Sequence, residues 1–530
     1  MSEALYDVLV RNGRICDGSG GESYVGDVAI QGDRIVKVGS LIDGHGKTEV
    51  DATGLVVAPG FVNMLSWTAE SLIADGRSQS NIRQGVTLEV VGEGWSMGPL
   101  DEEMKARSLA SQTNIKYDIE WTTLGGFLDY LAGRGISTNI GSYIGAATPR
   151  IYVLGYEDRP PTAEELERMC GLVRQAMEEG ALGMASALIY PPGAYADAPE
   201  LTAMAKVVAE YDGLYISHIR SEGEHILEAL DELLTVARET GGRVEIYHLK
   251  ASGKANWHLL DAVIAKVEAA RAEGICISAD MYTYTASGTG LTVNIPDWVH
   301  EGGHDAMIAR LTDPETRARV RREMSMRFPG RTLLVGFQNP ALKSLTGKTL
   351  GEVAEMRGTS PEDTVIDLIV EDNSRIPSIF FSMSEDNLRK KVALPWVSFG
   401  SDAPSIAPEG VFLEMMPHPR AYGTFARVLG RFVRDEGIVP LEEAIRRLTT
   451  FPAANLKLDR RGALKPGYYA DIAIFDADKV QDHATFETPH QYATGMVHVF
   501  VNGTQVLKDG EHTGATPGRV VRGPGWTGAA

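Results

Sequence analysis

The stretch Leu214-Tyr215-Ile216-Ser217-His218, followed further on by Val244-Glu245-Ile246-Tyr247-His248, decides how this chain folds. With a side-chain period of two, Leu214, Ile216 and His218 share one face of a strand, and Val244, Ile246 and His248 share the equivalent face of the next. Between them Ile226, Leu230, Leu233, Leu234 and Ala237 fall at helical spacing, and Gly241-Gly242 stops the helix. The unit is strand, helix, strand, with a histidine at the C-terminal end of each strand, where α/β barrels and open α/β sheets hold their active sites. One histidine in such a place is ordinarily a packed core residue. Two at matching positions, followed by Arg220 and Glu222 and by Lys250, point to a metal site, because neutral imidazole is the commonest metal ligand.

Working outward, Gly60–Leu65, Thr87–Gly92, Ser137–Tyr143, Gly183–Ser186, Ile275–Asp280 and Trp396–Gly400 join the first two as strands alternating with helices. Eight such strands predict an α/β fold of the (β/α)8 TIM-like barrel type. Thr162 with Glu165 three residues later forms a capping box ahead of a helix running to Met177. Before residue 59 the texture is short strands (Tyr6–Arg11, Asp27–Ile30, Ile35–Val38 and one near Val50) with turns at Asn12-Gly13 and Gly32-Asp33. It returns in residues 470–475, 497–501 and 505–507, with a hairpin turn at Asn502-Gly503. Neither end can close a core alone, so both are expected to pair into one small β-sandwich. The expected domains are residues 1–58 and 456–530 as the two parts of that sandwich and 59–455 as the barrel, with insertions near 100–135 and 285–390. Insertions of that size build lids or pocket walls, and the second reads equally as an oligomer contact. The tail after Gly523 reads as loose.

Composition excludes several classes. At 530 residues with 43% hydrophobic content the chain has ample material for a large core, and its formal net charge of −20 repels nucleic acid and anionic membranes. Three scattered cysteines argue for a reducing compartment. The acidic start gives no secretory signal, and no apolar run approaches the ~20 residues of a membrane span, so a cytoplasmic protein with a small-molecule substrate is expected. A homo-oligomer is compatible with this reading.

Ala58-Pro59-Gly60-Phe61 entering the barrel, residues 180–195 (GALGMASALIYPPGAY), 217–222 (SHIRSE), His248-Leu249-Lys250, 279–284 (ADMYTY), Gly400-Ser401-Asp402, 418–430 (HPRAYGTFARVLG) and 462–476 (GALKPGYYADIAIFD) together resemble the amidohydrolase superfamily. Within it the chain is most similar to the D-aminoacylase branch, the N-acyl-D-amino-acid deacylases, over nearly its whole length. The resemblance implies that His218 and His248 hold the tightly bound zinc and that Asp402 is the carboxylate acting as acid and base. It implies that Arg420 receives the substrate carboxylate and that Lys250, Tyr190 and Tyr282 line the substrate pocket.

The departures from the family pattern are equally informative. A His-x-His pair at the end of strand one is replaced by Leu65 and Trp67, neither of which can donate a lone pair to zinc. The family's metal-binding cysteine after strand two is replaced, with a one-residue gap, by Glu93, a permissible zinc ligand whose bland alternative is a solvated or arginine-paired carboxylate. Ala146 stands where members often carry a histidine. One ion is therefore expected, Zn2+ or another divalent metal, on Glu93, His218 and His248 with Asp402 alongside. The leading expectation is metal-dependent hydrolysis of a linear amide in a small N-acyl-(D-)amino acid or dipeptide-like compound. Hydrolysis of a cyclic amide, lactone or unusual peptide, and a catalytically degenerate homologue with a scaffold or regulatory role, remain open at this point.

Overall fold

The computed structural model describes residues 5–528 apart from 325 and 327. All eight expected barrel strands are present. Five of them, with the short strand Ile144–Gly145 added at one edge, are parallel neighbours in the order Val397–Phe399, Ile277–Met281, Arg243–Ile246, Leu214–His218, Gly183–Ala187, Ile144–Gly145. The strands Phe61–Asn63, Val86–Val91 and Asn139–Ser142 form a second parallel sheet. The two sheets are continuous at one edge, because Asn139–Ser142 and Ile144–Gly145 are a single run of chain interrupted at Tyr143. At the other edge they meet through the parallel bridge between Ser66 and Ala403. Helices between the strands bury the apolar stripe their spacing predicts: Ile226–Thr240 buries Ile226, Leu230, Leu233, Leu234 and Ala237, and ends where Gly241 turns left-handed at φ 63. The Thr162–Glu165 capping box starts Ala163–Glu178.

Strands from both chain ends are hydrogen-bonded into one nine-stranded sheet, joined where Val56–Pro59 pairs antiparallel with Ile472–Phe475. It has a core of its own, including Val10, Val28, Ile30, Ile472 and Phe500. Two expectations need correction here. Asn12-Gly13 does not end a strand: Leu5–Ile15 runs through it, and the pairing with Tyr24–Gln31 resumes after a bulge at which Asn12 takes φ 59. The chain after Gly523 is not loose as far as Gly528, since the Gly523 and Thr527 amides donate to the carbonyls of Gly180 and Glu178. The Asn502-Gly503 turn joins Met496–Val501 to Thr504–Lys508 as expected.

The long interval from 285 to 390 is a compact insertion. Its three antiparallel strands, Ser287–Gly290, Pro377–Phe380 and Thr332–Leu334, and helices such as Pro361–Asp372 close over a separate apolar cluster that includes Leu291, Leu334, Val365 and Ile369. The first of those strands reaches the site described next. Among the described residues no helix is long and apolar enough to cross a membrane.

Candidate metal centre and active site

His218 is the last residue of its strand, whereas the strand carrying the second histidine ends at Ile246. The reason is local: His248 takes φ 33, a left-handed conformation uncommon outside glycine, so it leaves the pleat before its side chain is aimed. Its amide is held by Asp280 Oδ1 at 2.8 Å. The two rings lie edge to face with centroids 4.3 Å apart. Glu93 follows the strand Val86–Val91 between two glycines of positive φ, Gly92 (107°) and Gly94 (67°). A Cβ on Gly92 would stand 2.5 Å from the Tyr143 carbonyl oxygen, and one on Gly94 2.6 Å from Ala187 Cβ, so the turn that delivers Glu93 requires glycine on both sides.

The carboxylate of Glu93 reaches both histidines, with Oε1 3.2 Å from His218 Nδ1 and 3.1 Å from His248 Nε2. One donor atom from each of the three residues lies within 4.8 Å of the others. Tetrahedral arms of ~2.0 Å give ligand-to-ligand edges of ~3.3 Å, so these separations fit one small divalent cation with two nitrogens and one oxygen as donors. Burial opposes ionisation of Glu93, yet the hydrogen bonds from His218 and His248 outweigh it and hold the carboxyl below the usual carboxylate range. For His248, burial and the Lys250 charge favour the neutral ring, but Glu222 and Glu93 win and push it up to about 10. A cation bound there displaces that proton, as metals do at imidazole sites generally.

Sequence reasoning missed the partner of Glu93's other oxygen. Trp67 Nε1 donates to Glu93 Oε2 at 2.9 Å, so the indole braces the carboxylate that faces both histidines. Leu65 is buried and offers only its backbone carbonyl, which accepts from the Asp402 amide at 2.9 Å. Ala146 is buried and brings no polar group to the site.

Asp402 follows the strand Val397–Phe399 with φ 50. Its Oδ2 lies 2.5 Å from Arg420 Nη1, and its Oδ1 is buried with no hydrogen-bond partner among the described residues. Burial pushes the Asp402 carboxyl up to about 6 against the opposing charges of Arg420 and His248. Arg420 opens the helix Arg420–Arg427; its Nη1 approaches Asp402 without the alignment of a hydrogen bond, its Nε has no partner, and Nη2 reaches the Gly288 carbonyl at 3.4 Å. The guanidinium stacks 4.5 Å from the Tyr282 ring centroid, and the buried Tyr282 hydroxyl is unpartnered. Tyr190 packs 5.5 Å from the His218 ring and exchanges a 2.8 Å hydrogen bond with Thr289 of the insertion. Lys250 is 96% buried and sits behind the histidines, 2.5 Å from Glu222 Oε1 and 2.8 Å from His248 Nδ1. Beside Tyr190 a cavity of about 190 Å³ opens between Trp95, Ile295, Met307 and Arg375.

All eight expected site residues therefore meet in one place, at the C-terminal ends of the parallel strands. Comparison with known proteins shows which family the chain belongs to. The chain is 33% identical to the D-aminoacylase of Alcaligenes xylosoxydans xylosoxydans over 518 residues, 97% of each chain. It is 30% identical to the N-acyl-D-glutamate deacylase of the same organism, covering 98% of this chain and 97% of the relative. A D-aminoacylase structure described by its binuclear metal centre superposes with a TM-score of 0.82 at 32% identity, covering 98% of this chain and all of that one. The N-acyl-D-glutamate deacylase of Bordetella bronchiseptica, bound to zinc and a phosphonate mimic of the tetrahedral intermediate, superposes with a TM-score of 0.83 at 29% identity, covering 98% of this chain and 100% of that one. With the amidohydrolase family pattern matching residues 48–507 as well, this chain belongs to the amidohydrolase family.

Proposed function

We propose that the protein is a metal-dependent hydrolase that cleaves the linear amide of a small N-acyl-D-amino acid or dipeptide-like compound. The observation that carries this reading is the convergence of Glu93, His218 and His248 beside a buried aspartate and an arginine with free donors. Glu93, His218 and His248 would hold one Zn2+, which when bound supplies Lewis acidity and lowers the pKa of water. Asp402, with a free Oδ1 and a carboxyl near neutrality, takes a proton from the attacking water and returns it to the leaving nitrogen. Arg420 pairs with the substrate carboxylate, and Tyr282 offers its hydroxyl to the carbonyl oxygen. Tyr190 and the insertion strand Ser287–Gly290 wall off water on one side.

The fold reading supports this use. We read the two parallel sheets as one closed eight-stranded barrel spanning residues 59–455, and the nine-stranded sheet of residues 1–58 and 456–530 as a sandwich folded over its own core. No nucleic-acid or membrane partner fits a formal charge of −20. The test is a panel of N-acyl-D- and N-acyl-L-amino acids run beside metal analysis. Release of the free D-amino acid by protein holding one zinc per chain supports the proposal; full activity in folded Asp402→Asn and His248→Ala variants defeats it.

A further inference from the structure

The two imidazoles lie between two carboxylates. On one side Glu93 Oε1 meets His218 Nδ1 and His248 Nε2. On the other, Glu222 Oε1 lies 3.0 Å from His248 Nδ1 and 3.7 Å from His218 Nε2, the very nitrogens left over. Glu222 is no stray surface acid: its side chain is only 12% exposed, it sits four residues after His218, and its backbone carbonyl accepts from the Ser252 amide at 2.7 Å. That bond ties the loop after one histidine strand to the loop after the other.

Lys250 creates a problem that Glu222 solves. Its Nζ is 2.8 Å from His248 Nδ1 and can only donate. Were it to donate there, the ring proton would be forced onto Nε2, the nitrogen that faces Glu93, and no cation could bind. Glu222 Oε1 stands 2.5 Å from that ammonium and 3.0 Å from Nδ1, so it competes with Nδ1 for the ammonium and offers a proton on Nδ1 an acceptor. The buried charges of Glu222 and Lys250 are tolerable together because each is the other's counterpart.

Building on the metal reading above, we propose that Glu222 is the positioning residue of the centre: it orients the His248 ring, fixes its metal-competent tautomer and neutralises Lys250. Carboxylates behind ligating histidines ordinarily change metal affinity by about 10–100-fold.

The test is zinc affinity, read by chelator competition on full-length Glu222→Gln and Glu222→Asp proteins. Both variants are expected to bind zinc about 10–100-fold more weakly, the first through lost charge and the second through lost reach. Wild-type affinity in either variant overturns the proposal. If the variants do not fold, ring ¹⁵N chemical shifts of zinc-loaded wild-type protein decide: a proton on His248 Nδ1 supports the assignment, and a bare Nδ1 overturns it. A wild-type chain that takes up no zinc removes the metal reading itself, whereas zinc bound with a bare His248 Nδ1 removes only the role of Glu222.

Discussion

Asp402 and Arg420 form a buried ion pair, Oδ2 to Nη1 at 2.5 Å, in which the candidate proton carrier holds the candidate carboxylate receptor before any substrate arrives. The contact is close but not aligned as a hydrogen bond, and among the described residues neither Nη1 nor Nε has a hydrogen-bond partner. A substrate carboxylate can use those donors in the paired, two-pronged way a guanidinium favours, and in doing so it loosens the hold on Asp402.

Replacing Arg420 by methionine should therefore raise KM for N-acyl amino acids and lower kcat/KM by about 10–100-fold, the worth of charge-assisted hydrogen bonds of ~1.5–3 kcal/mol. A substrate whose carboxylate is capped as an amide should lose little by the same change. Steady-state kinetics on the two substrates check this, and equal losses on both would falsify the pairing.

Asp402 must be ionised to accept a proton, and burial places its carboxyl at about 6. The acid limb of kcat/KM should accordingly bend near that pH, with activity lost as the pH falls through it. In the Arg420→Met variant the limb should move upward, because the cation opposing the effect of burial is gone. Asp402→Asn should cost about 10²–10⁴ in kcat with zinc content unchanged. A wild-type profile flat between pH 5 and pH 8 would count against Asp402 as the base.

Much of this was legible in the sequence because the signals were local. Alternation in Leu214–His218, helical spacing in Ile226–Thr240 and the Thr162–Glu165 capping box each act within a few residues. What escaped was set by tertiary contact. The positive φ of His248 is maintained by Asp280 from the next strand, and nothing in residues 244–248 announces it. Trp67 read only as a lost metal ligand because its Nε1 finds Glu93 only once two strands are side by side. Lys250 was expected to line the substrate pocket, and what the sequence did not show is that Glu222 from a neighbouring loop holds its ammonium. The Asn12-Gly13 signal was real, but a partner strand long enough to pair on both sides turned a hairpin dipeptide into a bulge.

Restoring the family's missing pair tests why one ion is expected. Leu65→His with Trp67→His returns two imidazoles to the strand-one end, beside Glu93 and the Asp402 loop that bonds to the Leu65 carbonyl. Elemental analysis should then find a second zinc per chain at raised metal concentration, where the wild type stays at one. The gain should come with a less firmly held Glu93, since the Trp67 indole donor is removed. No change in stoichiometry would mean that the second position was lost for reasons other than these two side chains.

Glu245 makes a prediction about the fold alone. It is fully buried between strands, accepts from Ser278 Oγ at 2.6 Å and Asn455 Nδ2 at 3.0 Å, and among the described residues has no cation paired with it. Burial raises its carboxyl from 4.5 to about 7. Below pH 4.5 the group is protonated in both folded and unfolded chains and makes no difference. As the pH climbs from about 4.5 to about 7 the unfolded chain loses its proton first, so stability falls, and above 7 the full cost is present. At ~1.4 kcal/mol per pKa unit that cost is on the order of 3 kcal/mol. Glu245→Gln keeps the size and hydrogen-bonding capacity without the charge. Its melting temperature should exceed that of the wild type at pH 8 and converge with it near pH 5. A difference that does not change between those two pH values would show that Glu245 stays ionised in the folded protein.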